Sequence, residues 1–116
     1  LRNEPRINIE LMAEINFEDK EFHSELCLVK DVSPSGIRCV FQNKNKDKNY
    51  IDLQNKKCTL ILDMAMYGDN TIHTLDGIIK NVNASDKVQL GLYFEGDNLQ
   101  KFKKLFDHLV IDNMLY

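Results

Sequence analysis

The sequence predicts an all-β domain with a C-terminal helix, specifically a six-stranded antiparallel β-barrel. Six segments carry apolar residues at every second position, as half-buried strands do, and turn residues separate them. After the sixth segment, the apolar spacing changes to that of an amphipathic helix. One small barrel with a helix over an open end accommodates these patterns within 116 residues.

The first two strands are predicted at residues 7–17 and 21–32. In the first strand, apolar residues occupy every odd position from end to end. In the second strand, we expect Phe22, Leu26 and Leu28 to lie on one side of the sheet. The charged residues between the two strands favour a hairpin connection.

The third strand, at residues 37–41, is short and leads into the longest irregular stretch of the chain. Residues 42–55 are rich in Asn and Lys, which is typical of a solvated loop. Within this stretch, we expect Tyr50, Ile51 and Leu53 to contact the core.

Three further strands and the helix complete the predicted domain. Alternation predicts the strands at residues 58–64, 71–82 and 88–94. Helical spacing of apolar residues predicts the helix over about residues 98–112, and Asp97 or Asn98 can cap it through a side-chain oxygen.

Charge and cysteine content narrow the class of protein. Fifteen basic and eighteen acidic side chains give a net charge of −3, which argues against a protein that follows the phosphates of DNA or RNA. Cys27, Cys39 and Cys58 lie in apolar strand patterns without paired spacing, which favours buried, reduced thiols and a cytoplasmic location. No apolar run is long enough for membrane insertion. Because the chain begins with Leu1 beside a motif, we expect it to be part of a longer protein.

The first motif is Arg2-Asn3-Glu4-Pro5-Arg6. Pro5 favours an extended backbone, so the segment can lie over the outer face of the barrel and present Arg2 and Arg6 to one ligand. Guanidinium groups bind phosphate bidentately, contact O6 and N7 of guanine, and stack on flat rings.

The second motif is Asp31-Val32-Ser33-Pro34-Ser35-Gly36, a tight turn at a strand end. Alternation places Asp31 and Ser33 on one face, opposite Val32, and predicts that both point outward. Gly36 allows close approach of the backbone. Because an ionised carboxylate only accepts hydrogen bonds, Asp31 suits the N–H groups of guanine.

In this order and spacing, the two motifs resemble those of the PilZ domain, the bacterial receptor module for cyclic di-GMP. Gln89-Leu90-Gly91-Leu92-Tyr93-Phe94 is similar to the closing strand of that family. The resemblance implies a PilZ-like barrel that binds cyclic di-GMP and has neither a metal nor another cofactor. It implies that the ligand-binding residues are Arg2, Arg6, Asp31, Ser33 and Gly36, with Leu1 and Arg38 as second-tier positions. Some family members carry an additional arginine at the position of Leu1 and bind a stacked pair of ligands. Because leucine has neither a guanidinium plane nor hydrogen-bond donors, we expect one ligand per site.

The expected function is signalling through binding. Residues 1–6 would form a ligand-binding segment and hinge, and residues 7–116 the barrel with its helix. Binding would change the conformation of this arginine segment and relay the signal to an attached upstream domain or a partner protein. We expect no enzymatic activity, because the histidines are scattered and the serines lack a nucleophile context.

Two alternatives remain open. The chain could be a PilZ-like protein-interaction module that does not bind nucleotide, although all five motif positions are intact. It could also be a small barrel that binds single-stranded nucleic acid. Such a barrel needs aromatic platforms beside a basic groove, whereas the tyrosines here are dispersed and the net charge is negative.

Overall fold

The structure, a computed structural model, describes residues 5–114, with all of their side chains except those of residues 67 and 112–114. Six antiparallel strands form a closed barrel in the order β1-β2-β3-β6-β5-β4, with β4 pairing back to β1. The elements are β1 (Ile7–Phe17), β2 (Glu25–Ser33), β3 (Gly36–Gln42), β4 (Lys57–Asp63), β5 (Ile72–Ala84), β6 (Lys87–Tyr93) and α1 (Gly96–Met114). The predicted all-β fold with a C-terminal helix is confirmed.

Alternation along the strands produces the core. Every odd residue of β1 from Ile9 to Phe17 is buried, and the even positions face outward. Strand β6 alternates in the same way, with Val88, Leu90 and Leu92 inside the barrel. Full burial of one such apolar side chain contributes about 1.5–3 kcal/mol relative to leaving it exposed.

The prediction for the second strand is wrong in its start, and Phe22, which precedes the strand, is buried and does not share the outer side of Leu26 and Leu28. Strand β2 begins at Glu25, and its core side chains are Cys27 and Val29, whereas Leu26 is 70% exposed. Leu28 is only partly buried and lies on the same outer side as Leu26. Because residues 26–29 are all apolar, the sequence pattern does not determine which of them face inward.

Aromatic clusters close both ends of the β3–β6 pair. At one end, the irregular stretch contributes a short 3-10 helix, Tyr50–Leu53, whose Tyr50 ring lies 5.7 Å from that of Phe41. Tyr50 and Leu53 are buried as expected, whereas Ile51 is 49% exposed, so that part of the prediction is wrong. At the other end, the Phe94 and Phe102 rings are 4.6 Å apart, which packs α1 against the barrel.

Helix α1 begins two residues before the predicted start. Gly96 precedes Asp97 with a φ of 60°, a left-handed conformation that glycine adopts without strain. Asn98 lies in the first turn, and its Oδ1 accepts a hydrogen bond of 2.9 Å from the Asp76 backbone N–H. The Asn98 side chain therefore connects the first turn of α1 to β5. Within residues 5–114, no helix is long and apolar enough to cross a membrane.

Candidate functional site

A buried carboxylate held by two guanidinium groups is the centre of the candidate site. The Asp31 side chain is only 1% exposed. Its Oδ1 accepts a hydrogen bond from Nη1 of Arg6, and its Oδ2 lies 2.5 Å from Nη2 of Arg38. We call Arg6, Asp31 and Arg38 the ion triad. It brings a residue of the first motif onto a residue of the second, 25 positions away.

Strand register explains why these side chains meet. Asp31 is directly opposite Asn8 of β1 on one side and Arg38 of β3 on the other, so Asn8, Asp31 and Arg38 share a face. Arg6 is two residues before Asn8 and therefore approaches Asp31 from the same face. Arg38 lies between the core residues Ile37 and Cys39, which makes that face the outer one. Val32, next to Asp31, is buried in the core as alternation predicts.

The outer orientation of Asp31 does not leave it open to solvent, contrary to the sequence expectation of an outward-pointing acceptor. The Arg6 and Arg38 side chains are 32% and 51% exposed and cover it. Because the carboxylate is buried beneath both arginines, a guanine can contact Asp31 only if an arginine moves. The two arginines present the accessible surface of the triad.

Ser33 and Gly36 form the hairpin between β2 and β3. They are directly paired, and Ser33 Oγ donates a hydrogen bond of 3.4 Å to the Gly36 carbonyl. A Cβ on Gly36 would overlap the Leu92 carbonyl oxygen and lie 3.3 Å from the Leu92 carbonyl carbon. Ser33, like Asp31, is buried. In this structure both residues shape the turn, and Gly36 lets β6 pass close to β3.

β-Bulges occur in the pairs that carry the triad. The register shifts between Asn8 and Leu11 in the β1–β2 pair and between Val29 and Asp31 in the β2–β3 pair. A bulge changes the direction in which a side chain points, and bulges are common beside binding sites. Here the shift lets Val29 and Val32 both face inward while Asp31 faces the arginines.

A shallow depression of about 550 Å³ lies beside the triad on the outer face of β1, β2 and β3. Its lining includes Arg38, and Lys30 and Asn8 add an exposed ammonium and an amide. Glu10 is also in the lining. Sequence reasoning missed Lys30 and Asn8. The sequence did contain a signal for both: Lys30 directly precedes Asp31, and Asn8 is two residues after Arg6 on the same strand face.

A second surface depression, of about 510 Å³, lies around β1, β4 and β5. Its lining combines Lys57 with Asp76, whose carboxylate accepts a 2.8 Å hydrogen bond from Thr59. Among residues 5–114, none of the predicted ligand-binding residues lines it, so the depression beside the triad is the candidate site. The predicted site residues Leu1 and Arg2 lie outside the described residues.

The titratable groups with strongly shifted pKa values lie outside the triad and outside the depression beside it. Burial raises the pKa of the Cys58 thiol to about 12, and Cys27 and Cys39 are buried as well, as predicted. On the β5 side, the His73 imidazole lies 2.7 Å from Asp69 and lowers the pKa of that carboxyl to about 2. Among residues 5–114, no cluster of His, Cys, Asp and Glu has an arrangement that could hold a metal ion.

Solved structures of similar shape identify the fold. The chain is similar to MrkH from K. pneumonia in its complex with c-di-GMP, with a TM-score of 0.67 and 19% identity, over 99% of this chain and 53% of MrkH. It is similar to the PilZ domain of YcgR from Escherichia coli with c-di-GMP, with a TM-score of 0.64 and 10% identity, over 89% of this chain and 86% of that one. This chain has the PilZ-domain fold.

The PilZ domain of CeSA from a cellulose-synthesizing bacterium is similar over nearly its whole length, with a TM-score of 0.65, 12% identity and 93% and 98% coverage. By contrast, the chain spans about half the length of MrkH. No protein-family model matches the sequence, and no curated protein matches it. The PilZ fold expected from the two motifs is therefore confirmed through structure, and the ion triad lies on the outer face of this PilZ barrel.

Proposed function

We propose that this chain is a receptor module for c-di-GMP that acts by binding and not by catalysis. The observation that carries the proposal is the ion triad. On a barrel with the fold of c-di-GMP-bound PilZ domains, the triad joins Arg6 of one motif to Asp31 of the other. Arg38, the second arginine of the triad, and Lys30 beside it add positive charge, as an anionic ligand requires.

The triad suggests how binding is converted into movement. Asp31 neutralises one of the two guanidinium charges, and the phosphates of c-di-GMP compete with it for Arg6. A phosphate accepts bidentate hydrogen bonds from a guanidinium group at least as well as a carboxylate does. Release from Arg6 then leaves Asp31 free to accept hydrogen bonds from a guanine.

Arg6 directly precedes β1, so its change of partner alters the path of the chain just before the barrel. The ligand shifts the population of that segment only to the extent that it binds one arrangement better than the other. In our proposal, residues 1–6 with Arg2 are the moving segment. The signal passes to an attached upstream domain or a partner protein, in the cytoplasm, where buried unpaired thiols such as Cys58 stay reduced.

Calorimetric titration of the chain tests the proposal. We expect saturable heat with c-di-GMP, near one ligand per chain, and none with c-di-AMP, GMP or a single-stranded oligonucleotide. Arg6→Ala should weaken binding roughly 10- to 100-fold, because it removes charge-assisted hydrogen bonds to phosphate. Arg6→Lys should not restore it, since an ammonium group lacks the planar fork.

Lys101→Ala, on the exposed face of α1, is the control for the removal of one positive charge. It should leave the affinity unchanged. Folded wild-type protein that gives no heat with c-di-GMP would refute the proposal.

A protein-interaction module is the second candidate. Met12 and Leu26 are 52% and 70% exposed, and Leu28 lies opposite Met12 on the same outer face of β1 and β2. Contiguous exposed apolar side chains favour a protein partner. The titration decides between the candidates, because this one requires no nucleotide.

A further inference from the structure

A strip of outward-facing positions continues from the ion triad across two more strands of the barrel, β6 and β5. Arg38 of β3 is directly opposite Gly91 of β6, and Gly91 is directly opposite Asn81 of β5. Gly91 lies between Leu90 and Leu92, which are both in the core, so position 91 faces outward. Arg38, Gly91 and Asn81 are therefore consecutive on the outer face, beginning at the triad.

The side chain of Asn81 borders the glycine on the β5 side. A Cβ added to Gly91 would lie 3.2 Å from Nδ2 of Asn81 and 3.8 Å from its Cγ. The β5–β6 register shifts between Ile79 and Asn81, and this bulge places both Lys80 and Asn81 on the exposed side. The amide is thus held at the border of a flat patch of backbone.

The dimensions of the strip suit a planar ring. Neighbouring strands are about 4.8 Å apart, so Arg38 and Asn81 flank Gly91 at a backbone separation of roughly 10 Å. Because Gly91 has no side chain, a ring can lie directly on the β6 backbone between them.

The chemistry of the two flanking groups suits guanine. Arg38 carries five N–H donors, and its Nη2 forms the ion pair with Asp31, so donors on its other nitrogens are available to a ligand. Guanidinium donors pair with O6 and N7 of guanine. The Asn81 amide has both a donor and an acceptor, so it can bond to the ring N–H or the exocyclic amine of the same base.

We propose that Gly91 is the floor of a base subsite, with Arg38 and Asn81 as its two sides, and that it takes the guanine of c-di-GMP farther from Arg6. The inference rests on the proposed function and adds to it the residues that select the second base. From Asp31 to Asn81 the strip crosses three strand spacings, about 14 Å, which is suitable for a ligand of two nucleotides.

Two variants test the subsite through c-di-GMP titration and thermal melting. Asn81→Ala should weaken binding about 3- to 10-fold, the effect of one or two net hydrogen bonds, without changing Tm. Gly91→Ala should weaken it at least as much, because a methyl group then stands on the floor and displaces the Asn81 amide. Its Tm should stay the same or rise, since alanine suits a strand interior better than glycine.

Asn83→Ala is the matched control, because Asn83 is an exposed asparagine two residues further along β5 on the same face, opposite Gln89. It should bind like wild type. If Asn81→Ala and Gly91→Ala also bind like wild type while Arg6→Ala does not, the subsite is wrong and the proposed function stands. Equal weakening by Asn81→Ala and Asn83→Ala would likewise overturn the subsite. A wild-type chain that does not bind c-di-GMP overturns both proposals.

Discussion

Replacing Asp31 with asparagine tests whether the ion triad stabilises the folded barrel. The carboxylate of Asp31 is buried; its Oδ1 accepts a hydrogen bond from Arg6, and its Oδ2 forms an ion pair with Arg38. An amide of the same shape has one oxygen that accepts and one NH₂ group that only donates. Asp31→Asn therefore leaves either Arg6 or Arg38 facing another donor and removes the negative charge between them.

The expected loss follows from burial and exposure. A hydrogen bond to a charged group contributes about 1.5–3 kcal/mol, and solvent screening lowers that value for partly exposed partners. The Asp31 side chain is 1% exposed, whereas those of Arg6 and Arg38 are 32% and 51% exposed. We expect the free energy of unfolding to fall by about 1–3 kcal/mol. In a domain of about 100 residues, each kcal/mol lowers Tm by roughly 4–8 °C.

Urea denaturation of the ligand-free chain measures this loss, with Asp86→Asn as the control. Asp86 also forms an ion pair, 3.3 Å from Nζ of Lys46, but its side chain is fully exposed. Its replacement should leave the urea midpoint unchanged, because exposed pairs contribute little. If Asp31→Asn shifts the midpoint no more than Asp86→Asn does, the triad does not stabilise the barrel and our account of the site is wrong.

Three further predictions concern the β2–β3 turn, the loss of stability at acid pH and the reactivity of the Cys58 thiol. Gly36→Ala should lower the free energy of unfolding by about 1–3 kcal/mol in urea, because its methyl group overlaps the Leu92 carbonyl; a loss below about 0.5 kcal/mol would contradict this. The folded-state pKa of Asp69, about 2, lies below its unfolded value near 3.9, so its contribution to stability is present above about pH 4 and is lost as pH falls toward 2. His73→Gln should therefore flatten the fall in urea midpoint between pH 4 and 2, and an unchanged slope would count against the pair. The Cys58 thiol, whose pKa burial raises to about 12, should resist a disulfide reagent at pH 8 in the native chain and react in urea, so prompt labelling of folded protein would argue against its burial.

Much of the fold could be predicted because most strands alternate without ambiguity. Positions 7–17 and 88–94 carry an aliphatic residue or phenylalanine at every second position, and most of the residues between them are polar or glycine, so their buried faces follow from the pattern alone. Residues 26–29 are continuously apolar, and there the choice between Leu26 and Cys27 depends on register with the neighbouring strands. Local pattern contains no information about that register.

The candidate site divides in the same way. The outward direction of Asp31 follows from its position next to Val32, but its burial depends on two arginines from β3 and the start of β1. Gly91 and Asn81 are ten residues apart in sequence and come together only through a bulged strand pair. Motifs identify residues that bind within one segment, whereas contacts between segments require the strand order and register.

The closed barrel has a consequence for how this domain can acquire partners. Within residues 5–114, each of the six strands is paired on both sides, since β4 returns to β1. Closure therefore leaves little backbone edge to which another protein could add a strand, the first half of β1 being a part without a partner in β4, and it limits edge-to-edge aggregation. Recognition then depends mainly on outward side chains, which can be substituted without breaking a ladder hydrogen bond. Such a scaffold can diverge in its partners over evolutionary time while the barrel itself is retained.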